Sequence, residues 1–314
     1  MILVTGGAGF IGSHLAEALL AQGREITVLD NLDDFYDPGL KKKNIESCTG
    51  RKGYRFVAGD IRDEAFLESL FRESRFSTVV HLAARPGVQP SLRFPALYAD
   101  INVRGTVTLL QQAVAFDVQK FVFASSSSVY GNTPVIPFSE ANSRPCPISP
   151  YGATKLAGEI FAETYNRVFG LSVTALRFFT VYGPRQRPDM AIARFFRIIR
   201  SGETIVLYGD GSTRRDYTNI RDILNGILRA MERCRGFHVY NLGRSETIPL
   251  RELVSCIETA AGRKARLSYE PPRTGDPYVT HADVSLAGAE LDYAPAVPIE
   301  EGVREYAEWL RRAG

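Results

Sequence analysis

Tyr151 and Lys155 stand four residues apart in "SPYGATKLAGE", a spacing that puts both side chains on one face of a helix. An ammonium beside a phenol stabilises phenolate, and a phenolate is a general base. Tyrosine ionises near ~10 in water, so bringing it to neutrality takes about 4 kcal/mol, more than one lysine supplies without a second positive charge. Taken alone, such a pair is usually two exposed residues of a surface helix, so the rest of the chain decides. Four hydroxyls in succession, Ser125 to Ser128 in "ASSSSVYG", follow the apolar run Phe121-Val122-Phe123. A strand leading straight into them argues against a flexible linker and for the wall of a site that needs hydroxyls and excludes charge.

A second site is written in "VTGGAGFIGSHLAEALL", where Gly6, Gly7, Gly9 and Gly12 lie between a short apolar run and the start of a helical pattern. Glycines there let the backbone turn tightly and approach a pyrophosphate, which the free N–H groups of the helix start then meet. The next apolar run, Ile26 to Leu29, ends in Asp30, 18 residues beyond Gly12. An acid at that place accepts hydrogen bonds from both ribose hydroxyls and repels a 2′-phosphate, which favours NAD over NADP. In "VAGDIRD" a further acid places Asp60 and Ile61 where the adenine edge of such a cofactor would lie, although an ordinary loop cap is as good a reading of Asp60.

These residues need a scaffold, and the first half of the chain supplies one. Ile2 to Val4, Ile26 to Leu29, Tyr54 to Val57, Thr78 to Leu82, Phe121 to Ala124 and Ser172 to Leu176 read as strands. Ile11 to Ala21, Phe66 to Glu73, Pro95 to Ala115 and Pro150 to Phe169 read as helices. Alternating strands and helices imply a parallel sheet covered on both faces, an α/β, Rossmann-type doubly wound fold. Beyond about residue 178, prolines and glycines break the chain into shorter pieces, which predicts a smaller, irregular C-terminal substrate domain. The division expected is 1–177 for the cofactor domain and 178–314 mainly for the substrate domain. Segments around 220–242, Ile220 to Glu232 and His238 to Leu242, return to the first sheet.

Composition narrows the classes. With 38 Lys and Arg against 35 Asp and Glu in 314 residues, the net charge of +3 gives no footprint for nucleic acid, and Lys41-Lys42-Lys43 reads as a solvated loop with a phosphate-bearing ligand as the other option. Four scattered cysteines, Cys48, Cys146, Cys234 and Cys256, suggest neither a zinc site nor a disulfide framework, and no metal site is expected. The chain starts without a basic segment and an apolar stretch behind it, and no apolar run approaches ~18 residues. A soluble, unprocessed, cytoplasmic protein with no membrane partner is the expectation.

The glycine-rich turn, Asp30, the hydroxyl run after the fifth strand and the Tyr151/Lys155 pair occur in the order of the extended short-chain dehydrogenase/reductase superfamily, which the chain resembles along essentially its whole length. The resemblance implies NAD as cofactor, held by Gly6, Gly9, Phe10, Ile11, Gly12, Asp30, Asn31, Asp60, Ile61, Leu82, Ala83, Ala84, Ser125, Tyr151 and Lys155. It makes Tyr151 the base, has Lys155 bind the nicotinamide ribose and lower the tyrosine pKa, and makes Ser126 the hydroxyl on the reacting sugar oxygen. The second half resembles the nucleotide-sugar branch in "RFFTVYGPRQRPDM", "GDGSTRRDYTNIRDI" and "PPRTGDP". By position Arg215 and Arg273 would pair with the diphosphate, and Asp276 would lie near the nucleoside ribose.

Dehydratases of this branch carry Ser-Thr-Asp-Glu-Val-Tyr-Gly where this chain reads Ser125-Ser126-Ser127-Ser128-Val129-Tyr130-Gly131. Without the Asp and Glu there is no acid/base pair for eliminating water, and the related decarboxylases tend to carry Glu at the place of Ser128. An epimerase acting through a 4-keto sugar remains. Ser127 and Ser128 with Thr180 could hold a sugar carboxylate, and Arg185 could meet that carboxylate or a phosphate. The segments "FASSSSVYG", "TVYGPRQRPDM" and "DNLDDFYDPGLKKKNI" look more like UDP-glucuronic acid 4-epimerases than UDP-glucose 4-epimerases. UDP-glucose, or its N-acetylamino analogue, is the alternative substrate. The alternatives from other classes are a non-enzymatic NAD-binding regulator, in which the Tyr/Lys pair is commonly lost, and a net dehydrogenase. In the family the helices at 95–115 and 150–169 pair with their copies, and apolar Leu109, Leu110, Ile160 and Phe161 exceed one core stripe, so a homodimer is expected.

Overall fold

The computed structural model describes residues 1–272 and 275–313. Its centre is a seven-stranded sheet built from β1 (Ile2–Thr5), β2 (Ile26–Asp30), β3 (Tyr54–Ala58), β4 (Thr78–His81), β5 (Lys120–Ser126), β6 (Ser172–Phe178) and a returning strand at Phe237–Leu242. All neighbours are parallel, in the order Phe237–Leu242, β6, β5, β4, β1, β2, β3. Strand order therefore reverses between β1 and β4, and the crevice outside the carboxyl ends of those strands is where ligands bind in such sheets. Side chains alternate across the sheet, so Ile2 and Val4 join one buried layer while Leu3 joins the other.

Helices cover both faces: α1 (Phe10–Ala21), α2 (Pro38–Glu46), α3 (Glu64–Glu73), α4 (Val88–Arg93), α5 (Pro95–Ala99), α6 (Gly105–Ala115) and α7 (Pro150–Phe169). Two expectations change here. Lys41 to Lys43 lie in α2, not in a solvated loop: Asp37 caps the helix by accepting from the Gly39 amide, Pro38 opens it, and Lys41 is buried against Asp30 at 3.7 Å. The helix expected over 95–115 is broken by a π turn at Asp100–Arg104. That extra residue brings buried Asn102 to the Arg85 backbone, where it accepts from the amide at 2.7 Å and donates to the carbonyl at 3.0 Å, and to the Thr154 hydroxyl at 3.0 Å.

A third correction concerns Leu109 and Leu110, which are fully buried against Leu3, Val79 and Phe121 and leave no apolar surplus on α6. On α7, by contrast, Ile160 and Phe161 are 57% and 38% exposed, with Val168 and Phe169 at 65% and 56%.

After β6 the chain leaves the sheet through β7 (Thr180–Tyr182), α8 (Ala191–Ser201), β8 (Thr204–Tyr208), β9 (Arg214–Arg215) and β10 (Tyr217–Asn219). It comes back as α9 (Ile220–Arg233) and β11, the strand at Phe237–Leu242. β12 (Ile248–Pro249), α10 (Leu250–Ala261), β13 (Arg266–Glu270), α11 (Ser285–Leu291) and α12 (Ile299–Ala313) complete the chain. A separate apolar cluster, with Phe196, Ile199, Leu207, Leu253, Ile257 and Val303, holds α8, α10 and α12 around β8. Among the described residues no helix is long and apolar enough to cross a membrane.

Candidate active site

The glycine-rich turn lies at the switch point. Gly6 has φ +68°, and a Cβ there would stand 2.7 Å from the Ala83 amide nitrogen; one on Gly12 would meet the Gly6 carbonyl oxygen at 2.3 Å. Neither position has room for a side chain. α1 starts at Gly9 without a side-chain cap, so its first amides are free to meet an anion. Asp30 is oriented by the Ala8 amide at 3.2 Å, the Leu32 amide at 2.8 Å and the Lys41 ammonium.

One cavity collects the residues expected to hold a dinucleotide. Gly6, Gly9, Phe10, Ile11 and Gly12 line it from the turn, Asp30 and Asn31 from the end of β2, and Asp60 and Ile61 from the end of β3. Leu82, Ala83 and Ala84 line it from the end of β4, and Ser125, Tyr151 and Lys155 line it as well. Asp60 also shapes its own loop: it accepts from the Arg62 amide at 2.9 Å and pairs with the Arg62 guanidinium, which holds its carboxyl at about 2. The cradle at Gly6 and Gly12 and the acid that ends β2 fit a dinucleotide with a free 2′-hydroxyl.

Among the lining residues not named as cofactor contacts from the sequence are Phe35, Tyr36, Lys41, Arg85 and Arg187. Four lie in or next to segments whose family likeness is visible, but only the fold shows that their side chains reach the cavity.

Tyr151 sits in the first turn of α7. The Ser149 hydroxyl caps that helix by accepting from the Gly152 amide at 3.1 Å, and Pro150 occupies its first position. The Tyr151 ring is braced edge-on by buried Tyr98, centroids 6.4 Å apart at 85°, and the Tyr98 hydroxyl donates to the Pro86 carbonyl at 2.5 Å. Burial pushes the Tyr151 phenol above its ordinary pKa, while a hydrogen bond with Ser126 and the charge of Arg187 pull it down. Ser126 closes β5, and its hydroxyl accepts from the Ser128 amide at 3.1 Å, which bends Ser127–Val129 into a 3₁₀ turn. The serine run is thus half strand and half turn.

Lys155, one turn further along α7, donates to the Ala124 carbonyl at 2.7 Å and stands 5.2 Å from the centre of the Phe123 ring. Desolvation lowers its pKa to about 7, and the Glu159 carboxylate opposes that fall. Glu159 is itself fixed by a buried, two-pronged pair with Arg177 of β6, at 2.9 and 2.7 Å, and by the Ser125 hydroxyl. Arg177 also donates to the Tyr130 hydroxyl at 2.8 Å. Buried charges satisfied this fully lock α7 to β5 and β6 in one register, which places Tyr151 and Lys155 beside the end of the serine run.

A second, larger cavity of about 1160 Å³ opens between this edge of the sheet and the C-terminal segments. Ser126, Ser127, Ser128, Thr180, Arg215 and Asp276 all line it, as does Tyr151, which faces both cavities. The Arg215 guanidinium donates to the Arg214 and Tyr278 carbonyls at 2.9 and 3.1 Å, and Asp276 accepts from Gln89 at 3.3 Å. Burial lowers the pKa of Arg215. Arg273 lies outside the described residues.

Arg185, expected to meet the sugar carboxylate or a phosphate, lines neither cavity. Its backbone adopts φ +63°, which turns the side chain onto α1, where it pairs with Glu17 at 2.7 Å and reaches Ser13 at 3.4 Å. Arg187, two residues on, lines both cavities and is held by Asp189 at 3.0 and 3.1 Å.

The family model described as "NAD dependent epimerase/dehydratase family" matches residues 2–243. Over 98% of this chain and 74% of its own length, UDP-glucuronate 4-epimerase 5 of Arabidopsis thaliana is 42% identical. The crystal structure of UDP-glucuronic acid 4-epimerase from Bacillus cereus, in complex with UDP-glucuronic acid and NAD, superposes with a TM-score of 0.94 at 35% identity, covering 100% of this chain and 99% of that one. UDP-glucose 4-epimerase from Thermotoga maritima, solved with UDP-glucose, gives 0.92 at 35% identity over 99% of both chains.

Proposed function

The chain belongs to the NAD dependent epimerase/dehydratase family, and from that premise we propose that it inverts C4 of a UDP-sugar, converting UDP-glucuronate to UDP-galacturonate. The observation that carries the choice of sugar is the wall formed by Ser126, Ser127, Ser128 and Thr180 beside Tyr151, where the segment after β5 offers hydroxyls and no carboxylate. Bound NAD supplies the acceptor and donor for the C4 hydrogen. Tyr151 takes the proton of the 4-hydroxyl and returns it, Ser126 hydrogen-bonds the same oxygen, and Lys155 supplies the charge that favours phenolate. Arg215, Arg273 and Asp276 hold the nucleotide end, and Arg187 takes the place assigned earlier to Arg185. The cavity, at about 1160 Å³, is large enough to take a nucleotide sugar.

Oxidation at C4 turns the glucuronate into a β-keto acid, which loses carbon dioxide when its carboxylate stands perpendicular to the ketone. Ser127, Ser128 and Thr180 would hold the carboxylate away from that orientation with charge-assisted hydrogen bonds of about 1.5–3 kcal/mol each. Thr180→Ala should therefore slow turnover of UDP-glucuronate by about tenfold or more and raise the share of product appearing as a decarboxylated 4-keto pentose. NMR of the product mixture reads both. An unchanged partition would show that the threonine does not orient the carboxylate. A UDP-glucose or UDP-N-acetylglucosamine 4-epimerase is the second reading, favoured by the equal identity to an enzyme of the former kind.

Within this reading residues 1–177, with the segment around 220–242, carry the cofactor, and most of 178–314 carries the nucleotide sugar. The protein works as a cytoplasmic homodimer, its four cysteines remaining thiols. Ile160, Phe161, Val168 and Phe169 form the apolar face of α7 that a second copy would cover. Sedimentation at micromolar concentration should show the dimer, and replacing Phe161 and Val168 by Glu should give monomer. A wild-type chain that sediments only as monomer would contradict the assembly.

A further inference from the structure

The loop between β2 and α2 lines the dinucleotide cavity through Asn31, Asp33, Phe35 and Tyr36, and its shape is set locally. The Leu32, Asp33 and Phe35 amides donate in turn to the carboxyl or amide oxygens of Asp30, Asn31 and Asp33, two residues back each time, at 2.8, 3.0 and 2.8 Å. These consecutive turns present Phe35 to the cavity. The Arg85 guanidinium stands 5.2 Å from the centroid of its ring, and the Arg187 guanidinium stands at 5.8 Å.

Neither arginine is loose. Arg85 grips Asp33 of the same loop through both carboxylate oxygens at 3.0 Å, and its backbone is fixed by Asn102 of the π turn. Arg187 is held by Asp189 and also lines the substrate cavity. Three segments distant in sequence, after β2, after β4 and after β7, thus meet on one aromatic ring. Tyr36, the next residue, also lines the cavity, and its buried hydroxyl has no partner among the described residues.

We propose that Phe35, contacted on its ring by the guanidiniums of both Arg85 and Arg187, is the positioning residue that keeps NAD on the protein through successive turnovers. An enzyme that oxidises and then reduces the same sugar needs its cofactor to stay for both halves, and a strap pinned at two guanidiniums slows its escape. Lining residues that merely fill space would not need both charges on the ring.

The test uses holoenzyme loaded with NAD and measures exchange of the bound cofactor against isotopically labelled NAD, read by extracting the protein-bound fraction. Phe35→Leu keeps volume and apolarity and removes the π face, and Phe35→Tyr keeps the face. Exchange should be about tenfold or more faster in Phe35→Leu, faster again in Phe35→Ala, and close to wild type in Phe35→Tyr. Equal exchange in wild type and Phe35→Leu, or loss of retention in Phe35→Tyr as large as in Phe35→Ala, would overturn the proposal. No sugar is present, so the outcome stands apart from which UDP-sugar the protein epimerises.

Discussion

Tyr151→Phe should lower turnover by about 100-fold or more, the loss expected when a general base is removed, while NAD is still taken up. The substitution deletes one oxygen. The ring keeps its edge-on contact with Tyr98, and the glycine turn that cradles the dinucleotide makes no use of the lost hydroxyl. What disappears is the hydroxyl that hydrogen-bonds Ser126 and lines both cavities. Burial raises the phenol, and desolvation lowers Lys155 to about 7 while the Glu159 carboxylate opposes that fall. Because bringing a phenol to neutrality takes about 4 kcal/mol, a second positive charge such as an oxidised nicotinamide would add to that of Lys155 in favouring phenolate. Near-normal turnover in Tyr151→Phe, measured with saturating UDP-sugar, would mean that another group is the base.

Much of this site is legible in the sequence because its parts are local. A strand, a glycine turn and a helix start are contiguous, the acid that ends β2 follows at a set interval, and Tyr151 and Lys155 lie one helical turn apart. Such spacings survive folding unchanged. The serine run is legible for the same reason, since the apolar strand before it fixes where the hydroxyls emerge.

What escapes depends on backbone detail or on distant segments. In "GPRQRPDM" two arginines are chemically equal, and only the left-handed conformation at Arg185 sends that one to Glu17 and leaves Arg187 for the cavities. The π turn at Asp100–Arg104 is invisible to a period of 3.6, because inserting one residue keeps the pattern helical on both sides. Lys41 had a start signal in Asp37 and Pro38, which Gly39 and the run of like charges obscured. Leu109 and Leu110 look surplus to one helix stripe, yet α6 is sunk deeply enough to bury both. The contacts on the Phe35 ring join residues 50 and 152 positions away, a meeting that no pattern in one segment can report.

The central claim is that a UDP-sugar bearing a carboxylate loses and regains its C4 hydrogen within one closed site. Two features give this a large expected effect. Hydroxyls at Ser127, Ser128 and Thr180 line the cavity where the carboxylate of UDP-glucuronate would sit, and UDP-glucose leaves them without that partner. Forgoing even one charge-assisted hydrogen bond of about 1.5–3 kcal/mol corresponds to roughly tenfold or more in turnover at equal concentration. The measurement is to incubate wild-type holoenzyme in ordinary water with UDP-glucuronate carrying deuterium at C4, and in parallel with UDP-glucose labelled in the same way, and to resolve the products by NMR. The account predicts UDP-galacturonate with deuterium still on C4, formed at least about tenfold faster than UDP-galactose forms from UDP-glucose. Loss of the label to water, or efficient epimerisation of UDP-glucose with hardly any of UDP-glucuronate, would contradict it.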